Sequence, residues 1–261
     1  MNPISVIIIA KNEAENIIEC ILSAQQISND IIIADSGSTD NTQALALQNG
    51  ARILQITWKG YGQTRNEAGK IAANNWIFAL DADERITENL ANHINNLTLN
   101  NKNAVFGFKR ENFFATKKIK FGQWGRDKIY RLYNRQNAHW NLMLVHENVI
   151  GDNIEKKMLA GSVLHYTMKD IATYQAKSIF YAQLSAQKYF EQGKKASEIK
   201  KIISPVFSFI QNYIFRFGFL DGKDGFTIAY IAATHNFNKY KFLNALFLNK
   251  KKLNKICKIV K

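Results

Sequence analysis

The chain has 261 residues, of which 46% are hydrophobic and 12% aromatic, so it can bury a large core and is not a disordered chain. Its two prolines exclude a proline-rich linker. Cys20 and Cys257 lie far apart and lack the paired spacing of a zinc or thioredoxin motif, so we expect a reduced, cytosolic protein. The N-terminal apolar run is too short for a signal peptide and has no basic segment before it, so we expect it to enter the fold directly.

The net charge of +14 is concentrated in the last two-fifths of the chain. Residues 1–155 contain 16 basic and 16 acidic side chains, whereas residues 156–261 contain 19 basic and 5 acidic ones. Such an excess favours a phosphate-bearing partner, either a nucleic acid or a membrane surface. The alternative is a solvated, lysine-rich surface with no partner.

The first 110 residues alternate between strand and helix patterns. In chain order the predicted elements are a strand "ISVIIIA", a helix in "NEAENIIECILSAQQ", a strand "DIIIAD", a helix in "TDNTQALALQNG", an edge strand "ARILQI", a helix in "GQTRNEAGKIAANN" and a strand "WIFAL". The apolar, β-branched strands are typical of a parallel sheet that is buried on both faces by helices. Ligands of such sheets bind beyond the carboxyl ends of the strands.

Polar residues follow each of these strands, and we expect them to surround one ligand site. They are Lys11, Asn12, Glu13, Asp35, Arg65, Asn66, Asp81, Asp83 and Glu84. Asp81 and Asp83 form an Asp-x-Asp pair directly after the fourth strand, where their mutual repulsion favours a divalent cation between them. Oxygen ligands with open positions suit Mg²⁺ or Mn²⁺ that bridges a diphosphate. The alternative is a solvated turn.

The last third of the chain has a helical pattern rich in lysine and aromatic residues. We expect one helix to end near Gly193 and another to begin at Pro205, with helix continuing into a lysine-rich tail. No stretch has the ~18 uninterrupted apolar residues of a membrane span. Basic amphipathic helices suit the surface of an anionic membrane, and packing on the N-terminal domain or a homodimer contact are the alternatives.

Several segments resemble family 2 glycosyltransferases with the GT-A fold. Over about the first 90 residues the matching blocks are "SVIIIAKNEAENI", "IIIADSGSTDNT", "GYGQTRNEAG" and "IFALDADERI". The segments "GQWGRDKIYRLYNR", "LVHENV", "VLHYTMKDIATY" and "FGFLDGKDGF" resemble the narrower branch of lipopolysaccharide core β-1,4-glucosyltransferases. The resemblance implies an α/β fold with a Rossmann-like, mostly parallel sheet and a basic, helical C-terminal extension.

The resemblance also implies how the donor is bound. Asp35 would hold the uracil or ribose of a UDP-sugar, and Glu13 would line the same pocket with its neighbour Asn12. Arg65 would help to hold the nucleotide end. Many family members have Tyr where this chain has Lys11, so we expect no stacking of that ring on the base.

By the same resemblance, the reaction is an inverting transfer that depends on Mg²⁺ or Mn²⁺. Asp81 would lie near the ribose and the metal, and Asp83 would ligate the metal under the diphosphate. Inversion in one displacement needs a base for the acceptor hydroxyl. Glu147 in "VHEN" is the favoured base, and Asp127 in "GRDKIYRLYNR" is the second candidate. Arg126, Arg131 or Arg135 could instead pair with Asp127 in a structural role.

Two histidines and two tryptophans complete the predicted site. His146, beside the favoured base, is a candidate for catalysis or for binding the metal or diphosphate, and His165 in "LHYT" is its rival. Trp124, with Trp140, could stack on the acceptor sugar, and Arg131 is a further predicted substrate contact. The alternative for these aromatic residues is a place in the core.

The sequence therefore predicts a catalytic domain over residues 1–165, with donor binding in 1–100 and acceptor contacts in 101–165, followed by a basic helical region over 166–261. We expect transfer of a hexose, glucose by resemblance, to a lipopolysaccharide core or related glycolipid at the cytoplasmic face of the inner membrane. The alternatives are a family 2 enzyme that acts on a polyprenyl phosphate or a protein, and a nucleic-acid-binding protein. We expect no nucleic-acid partner, since the chain has no recognised motif for one.

Overall fold

The computed structural model describes residues 1–143, 147–168, 170–195 and 197–259, without the side chains of 167 and 251–259. The chain divides into two compact units. The first comprises Met1–Phe113 with Asp127–Thr167, and the second comprises Phe114–Arg126 with Met168–Lys261. The second unit thus takes a segment from 114 to 126 that the predicted division placed in the first.

The first unit begins with the predicted alternation of strands and helices. Its first elements are β1 (Ile4–Ala10), α1 (Ile17–Gln25), β2 (Asp30–Asp35), α2 (Thr42–Gln48), β3 (Arg52–Gln55), α3 (Tyr61–Lys70) and β4 (Trp76–Asp81). The four strands are parallel and lie in the order β3-β2-β1-β4, which confirms the parallel sheet and the edge position of β3. Every residue of β1 is buried, as its unbroken apolar run predicts.

The second half of the sheet is mixed. Its elements are β5 (Glu84–Ile86), α4 (Glu88–Asn95), β6 (Ala104–Phe114), β7 (Lys117–Lys118), β8 (Lys128–Asn134) and β11 (Glu155–Met168). Two further strands, β9 (His139–Trp140) and β10 (Val149–Ile150), form a small antiparallel sheet of their own. Beyond β4 the strand order continues β8-β6-β11-β5, and β8 is antiparallel to both β4 and β6. Strand β11 is antiparallel to β5, with His165 in register with Glu84.

Alternate side chains of the central strands enter two separate cores. Val6 and Ile8 of β1 join one hydrophobic cluster, and Ile7 and Ile9 join another on the opposite face of the sheet. On the first face, the rings of Phe78 and Phe108 stack with their centroids 5.2 Å apart. Burial on both faces fixes the register of the strands, and hence the positions of the residues at their ends.

The second unit is mainly helical. It contains α5 (Ile171–Glu191), α6 (Glu198–Ile210), a π-helical turn Gln211–Phe215 and the long α7 (Lys223–Ile259). Gly193, at φ +67°, follows α5 as expected. The prediction that Pro205 begins a helix is wrong, because α6 begins seven residues earlier, where the Ser197 side chain accepts a hydrogen bond from the backbone N–H of Lys200.

A buried aspartate organises the segment between the helices. Asp221 accepts hydrogen bonds from the backbone N–H groups of Lys120 and Phe121, so it anchors the 114–126 segment within this unit. Lys117 reinforces this anchor through an ion pair with Asp224 at 2.9 Å. Among the described residues, no helix is both long and apolar enough to cross a membrane.

Gly161 of β11 offers a test of the packing between β11 and α4. Its φ is +94°, and an added Cβ would lie 2.6 Å from the backbone nitrogen of Leu90. We expect Gly161→Ala to lower the free energy of unfolding by about 3 kcal/mol or more, since backbone strain and overlap act together. The control Gly50→Ala has φ +80° with no atom within 4 Å of the added Cβ, and it should cost only about 1 kcal/mol. Equal losses in urea titrations of the two variants would contradict this account of Gly161.

Candidate functional site

The loops after β1 and β2 are joined by hydrogen bonds. Asn12, at φ +56°, donates its backbone N–H to the Ser38 hydroxyl at 2.9 Å and accepts the Thr39 N–H on its side-chain oxygen at 2.8 Å. The Glu13 N–H donates to the Thr42 hydroxyl at 2.8 Å. Asn tolerates a positive φ better than most residues, so the "KNE" turn suits this conformation. The exposed Lys11 begins this turn.

Asp35 lies at the end of β2 with its side chain buried. Its carboxylate accepts hydrogen bonds from the N–H groups of Gly37 and Ser38, from the Ser38 hydroxyl and from the Gln43 amide. Burial by itself would raise the pKa of Asp35, but these hydrogen bonds outweigh it and lower the pKa. The site therefore has a fixed, ionised carboxylate at the end of β2.

Asp81 occupies the corresponding position on the other side of β1. Asp35 is in register with Ala10 of β1 and Asp81 is in register with Ile9, so the two acids flank the carboxyl end of this strand. Arg65 donates to Oδ1 of Asp81 at 2.7 Å, and Arg131 donates to Oδ2 at 2.8 Å. Burial would raise the pKa of Asp81, but the positive charges of Arg131 and Arg65 hold it well below its usual value.

Glu84, which follows the turn between β4 and β5, is fully buried. It accepts the backbone N–H of Asp81 at 2.9 Å, forms an ion pair with Arg131 at 3.0 Å and forms a longer one with Arg110 at 3.4 Å. Arg131 thus bridges Asp81 and Glu84. The turn between β4 and β5 is held by charges that are supplied by β6 and β8.

Arg65 connects Asp81 to the segment that contains Glu147. Its side chain is 1% exposed, and it donates to Oε1 of Glu147 at 2.8 Å as well as to Asp81. The guanidinium lies over the Trp140 ring, 4.4 Å from the centroid. Asn66 fixes this arrangement because it exchanges two hydrogen bonds with the backbone of Trp140, at 2.8 and 2.9 Å.

Asp83, in the turn between β4 and β5, lies next to His165 of β11. Nε2 of His165 is 3.4 Å from Oδ2 of Asp83, and Nδ1 of His165 is 2.7 Å from the side-chain oxygen of Asn112. Since that oxygen accepts, Nδ1 donates to it, and the other ring nitrogen, Nε2, faces Asp83. The described part of the chain holds no group of three or more His, Cys, Asp or Glu side chains that could bind a metal by themselves.

Asp127 is held by a partner that the sequence did not suggest. Its Oδ2 accepts from Nε of Arg110 at 2.7 Å, forms an ion pair with Nη2 of Arg110 at 2.6 Å and lies 3.3 Å from the Asn112 amide. The alternative of a structural ion pair is found with a different arginine, since Arg110 supplies it and Arg131 contacts Asp81 and Glu84 instead.

Residues 5–153, more than half of the chain, match the family described as glycosyl transferase family 2. The chain belongs to this family. The match, together with the parallel β3-β2-β1-β4 half and the mixed second half of the sheet, confirms the GT-A fold.

The relatives of this glycosyltransferase extend over nearly its whole length. It is 28% identical to a glycosyltransferase of Rickettsia felis, over 96% of this chain and 93% of that protein. It is 26% identical to the lipopolysaccharide core biosynthesis glycosyltransferase LpsC of Rhizobium meliloti, over 91% of this chain and 93% of that protein.

Among solved structures, the glycosyltransferase is similar to glucosyl-3-phosphoglycerate synthase from Mycobacterium tuberculosis in complex with Mn²⁺, UDP and glucosyl-3-phosphoglycerate. The identity is 22% and the TM-score 0.33, over 42% of this chain and 44% of that chain. A likeness at this level supports no statement about the site.

The structure brings together most of the predicted site residues of the glycosyltransferase, while their roles toward substrates stay predictions. Arg65, Arg131 and Asp81 lie in one ion-paired group, so both arginines are engaged with carboxylates. Trp124 belongs to an aromatic cluster of the second unit, 5.1 Å from the ring of Tyr174. The predicted His146 lies outside the described residues.

Sequence reasoning did not find Arg110 and Asn112 of β6. They are two residues apart in "KREN", which places both side chains on one face of the strand. The run of four polar residues within the otherwise apolar β6 was the available signal. It did not identify their partners, which are Glu84 of β5, Asp127 just before β8 and His165 of β11.

Removal of Arg131 tests the ion-paired group. We expect Arg131→Met to lower the free energy of unfolding by about 3–5 kcal/mol, because Asp81 and the buried Glu84 would lose a shared counter-charge. The matched control is Arg52→Met, which breaks the half-exposed pair with Asp30 and should cost less than about 1 kcal/mol. Urea titration at neutral pH measures both, and a loss for Arg131→Met as small as that of the control would refute the bridging role.

Proposed function

We propose that this glycosyltransferase moves a hexose, by resemblance glucose, from a UDP-sugar to a lipopolysaccharide core or related glycolipid, with inversion and with Mg²⁺ or Mn²⁺. The observation that carries the proposal is the group of acids at the carboxyl ends of the parallel strands, where Asp83 faces His165 and Asp81 is joined to Glu147 through Arg65. The similarity to LpsC supports the acceptor class. A glycolipid acceptor favours a position at the inner face of the cytoplasmic membrane.

In this proposal the donor nucleotide binds beyond the ends of β1 and β2. Asp35 is fixed and ionised, which suits an acceptor of hydrogen bonds from the uracil or the ribose hydroxyls. Asn12 and Glu13 belong to the loop that is hydrogen-bonded to the loop after Asp35. Two loops held against each other can bind a nucleotide with little loss of conformational entropy.

Asp83 and His165 fit part of a divalent metal site. One carboxylate oxygen and one imidazole nitrogen, both of a kind that ligates divalent cations, lie 3.4 Å apart. Asn112 orients the imidazole from the other ring nitrogen. The remaining ligands would come from the diphosphate and water, with Asp81 as the further predicted ligand. A bound ion would offset the charge that develops on the leaving diphosphate.

We assign the role of base to Glu147. Arg65 ties Glu147 to Asp81, so this carboxylate is placed in the same group as the predicted diphosphate site. As the acceptor oxygen attacks the anomeric carbon, its proton would pass to Glu147 while the bond to the diphosphate oxygen breaks. Asp127 receives three contacts from Arg110 and Asn112 on one oxygen, which favours a structural role for it.

Titration calorimetry with UDP tests the donor site. We expect wild type to bind UDP in the presence of Mn²⁺ and to lose this binding in EDTA. Asp83→Asn should weaken the Mn²⁺-dependent binding by about tenfold or more, because the carboxylate charge at the metal is lost. The control is Asp152→Asn, at an exposed turn position, which should bind as wild type does. Absence of UDP binding by wild type in both conditions would contradict a UDP donor.

Paired isosteric variants test the base. Glu147→Gln should lower kcat by about 10²–10⁴ and leave UDP binding intact, because the amide can still contact Arg65 but cannot take a proton. Asp127→Asn should retain most of the activity. Release of UDP in the presence of a deacylated core oligosaccharide measures both. Survival of activity in Glu147→Gln excludes Glu147 as the base. If only Asp127→Asn loses activity, and its UDP binding is intact, the role passes to Asp127.

A further inference from the structure

Helix α6 exposes a continuous apolar face. Five of its side chains, which we name the α6 stripe, are each between 55% and 68% exposed. They are Ile199, Ile202, Ile203, Val206 and Phe207. Their spacing of i, i+3, i+4, i+7 and i+8 places them on one side of the helix.

The other side of α6 is partly buried and mixes polar with apolar residues. Its partly buried positions are Lys201, Ser204, Pro205, Ser208, Phe209 and Ile210, and no residue of α6 is fully buried. Glu198 at the start of the helix accepts a hydrogen bond from Asn244 of α7 at 2.9 Å. A helix of a globular protein normally turns its apolar stripe inward, so the five exposed residues of the α6 stripe are an exception to this pattern.

Exposed apolar side chains continue directly after α6. They are Ile214, Phe215, Phe217, Phe219 and Leu220. The rings of Phe217 and Phe219 lie 6.2 Å apart, and Phe219 lies 6.3 Å from Tyr213. Single exposed apolar residues are ordinary, but ten within one short segment indicate an interaction surface.

The charges in this segment are almost all positive. Between 194 and 216 the basic residues are Lys194, Lys195, Lys200, Lys201 and Arg216, and the acidic residue is Glu198. An apolar helix face flanked by lysines is complementary to an anionic lipid surface, where the ammonium groups meet the headgroups and the apolar side chains enter the acyl region.

We propose that α6 lies in the plane of an anionic bilayer with the α6 stripe inserted at the boundary between headgroups and acyl chains. At 13 residues the helix is about 20 Å long, which suits a position along the surface. The choice of a membrane as partner rests on the proposed function, since a glycolipid acceptor is presented there. A second copy of the chain fits less well, because a symmetric interface would bring two sets of these cations together.

Flotation of the full-length protein with vesicles tests the α6 stripe. The vesicles contain equal parts of phosphatidylglycerol and phosphatidylcholine, with phosphatidylcholine alone as the neutral comparison. We expect wild type to float with the anionic vesicles. The partition coefficient of Ile203→Ser/Phe207→Ser onto these vesicles should be lower by about tenfold or more. The control Leu47→Ser/Ile71→Ser removes two exposed apolar side chains of the first unit and should float as wild type does.

A fluorescence measurement locates the inserted face. The Phe207→Trp variant should be quenched by lipids brominated on their acyl chains, and Leu47→Trp should show only the quenching of wild type. Equal flotation of Ile203→Ser/Phe207→Ser and wild type, or no added quenching at 207, would overturn the proposal. So would a dimeric wild type that the double substitution converts to a monomer in sedimentation, which would make the α6 stripe a protein interface.

Calorimetry with UDP and Mn²⁺ separates this inference from the proposed function. We expect Ile203→Ser/Phe207→Ser to bind UDP as wild type does, because the α6 stripe is not part of the donor site. Loss of vesicle binding with intact UDP binding supports the insertion of α6. If wild type binds vesicles but not UDP, the proposed insertion of α6 stands and only the UDP donor is contradicted.

Discussion

The candidate site depends on the shared ion pairs of Asp81, Glu84, Arg65 and Arg131. Burial at the end of a strand removes hydration from a carboxylate, and for Asp81 it would by itself raise the pKa. Arg131 contacts Asp81 and Glu84 at the same time, and Arg65 contacts Asp81 from the other side. Because each arginine comes from a different element, these two acids have their counter-charges only when α3, β4, β5 and β8 are assembled.

The same contacts join the predicted metal side of the site to both candidates for the base. One path of ion pairs and hydrogen bonds runs through Glu147, Arg65, Asp81, Arg131, Glu84, Arg110, Asp127, Asn112, His165 and Asp83. A substitution of one residue in this path changes the electrostatic environment of several others. Loss of activity alone therefore does not identify a base. Separate measurements of donor binding and turnover are needed to distinguish a group that takes a proton from one that positions it.

The parallel half of the sheet could be predicted because its causes are local. A run rich in β-branched residues such as Ile4–Ala10 favours a strand buried on both faces, and the polar residues after such strands meet at one edge. The partners of these residues could not be predicted, since Arg110 and Asn112 lie in β6, and the order β8-β6-β11-β5 is set by tertiary packing. The start of α6 was misplaced for a similar reason. Pro205 suits a helix start, yet Ser197 provides a cap that the proline inside the helix does not disrupt.

Positive charge serves different purposes in the two parts of the chain. Up to residue 155 basic and acidic residues are equal in number, and arginines such as Arg65 and Arg131 are buried against carboxylates. After residue 155 there are 19 basic residues for 5 acidic ones, so most of these lysines have no acid of the same region to neutralise them. Uncompensated cations repel one another and destabilise a compact unit, and exposed isoleucine and phenylalanine side chains add a further cost in water. Under the proposed insertion of α6, an anionic lipid surface would relieve both costs at once, which would account for the two features occurring together around α6.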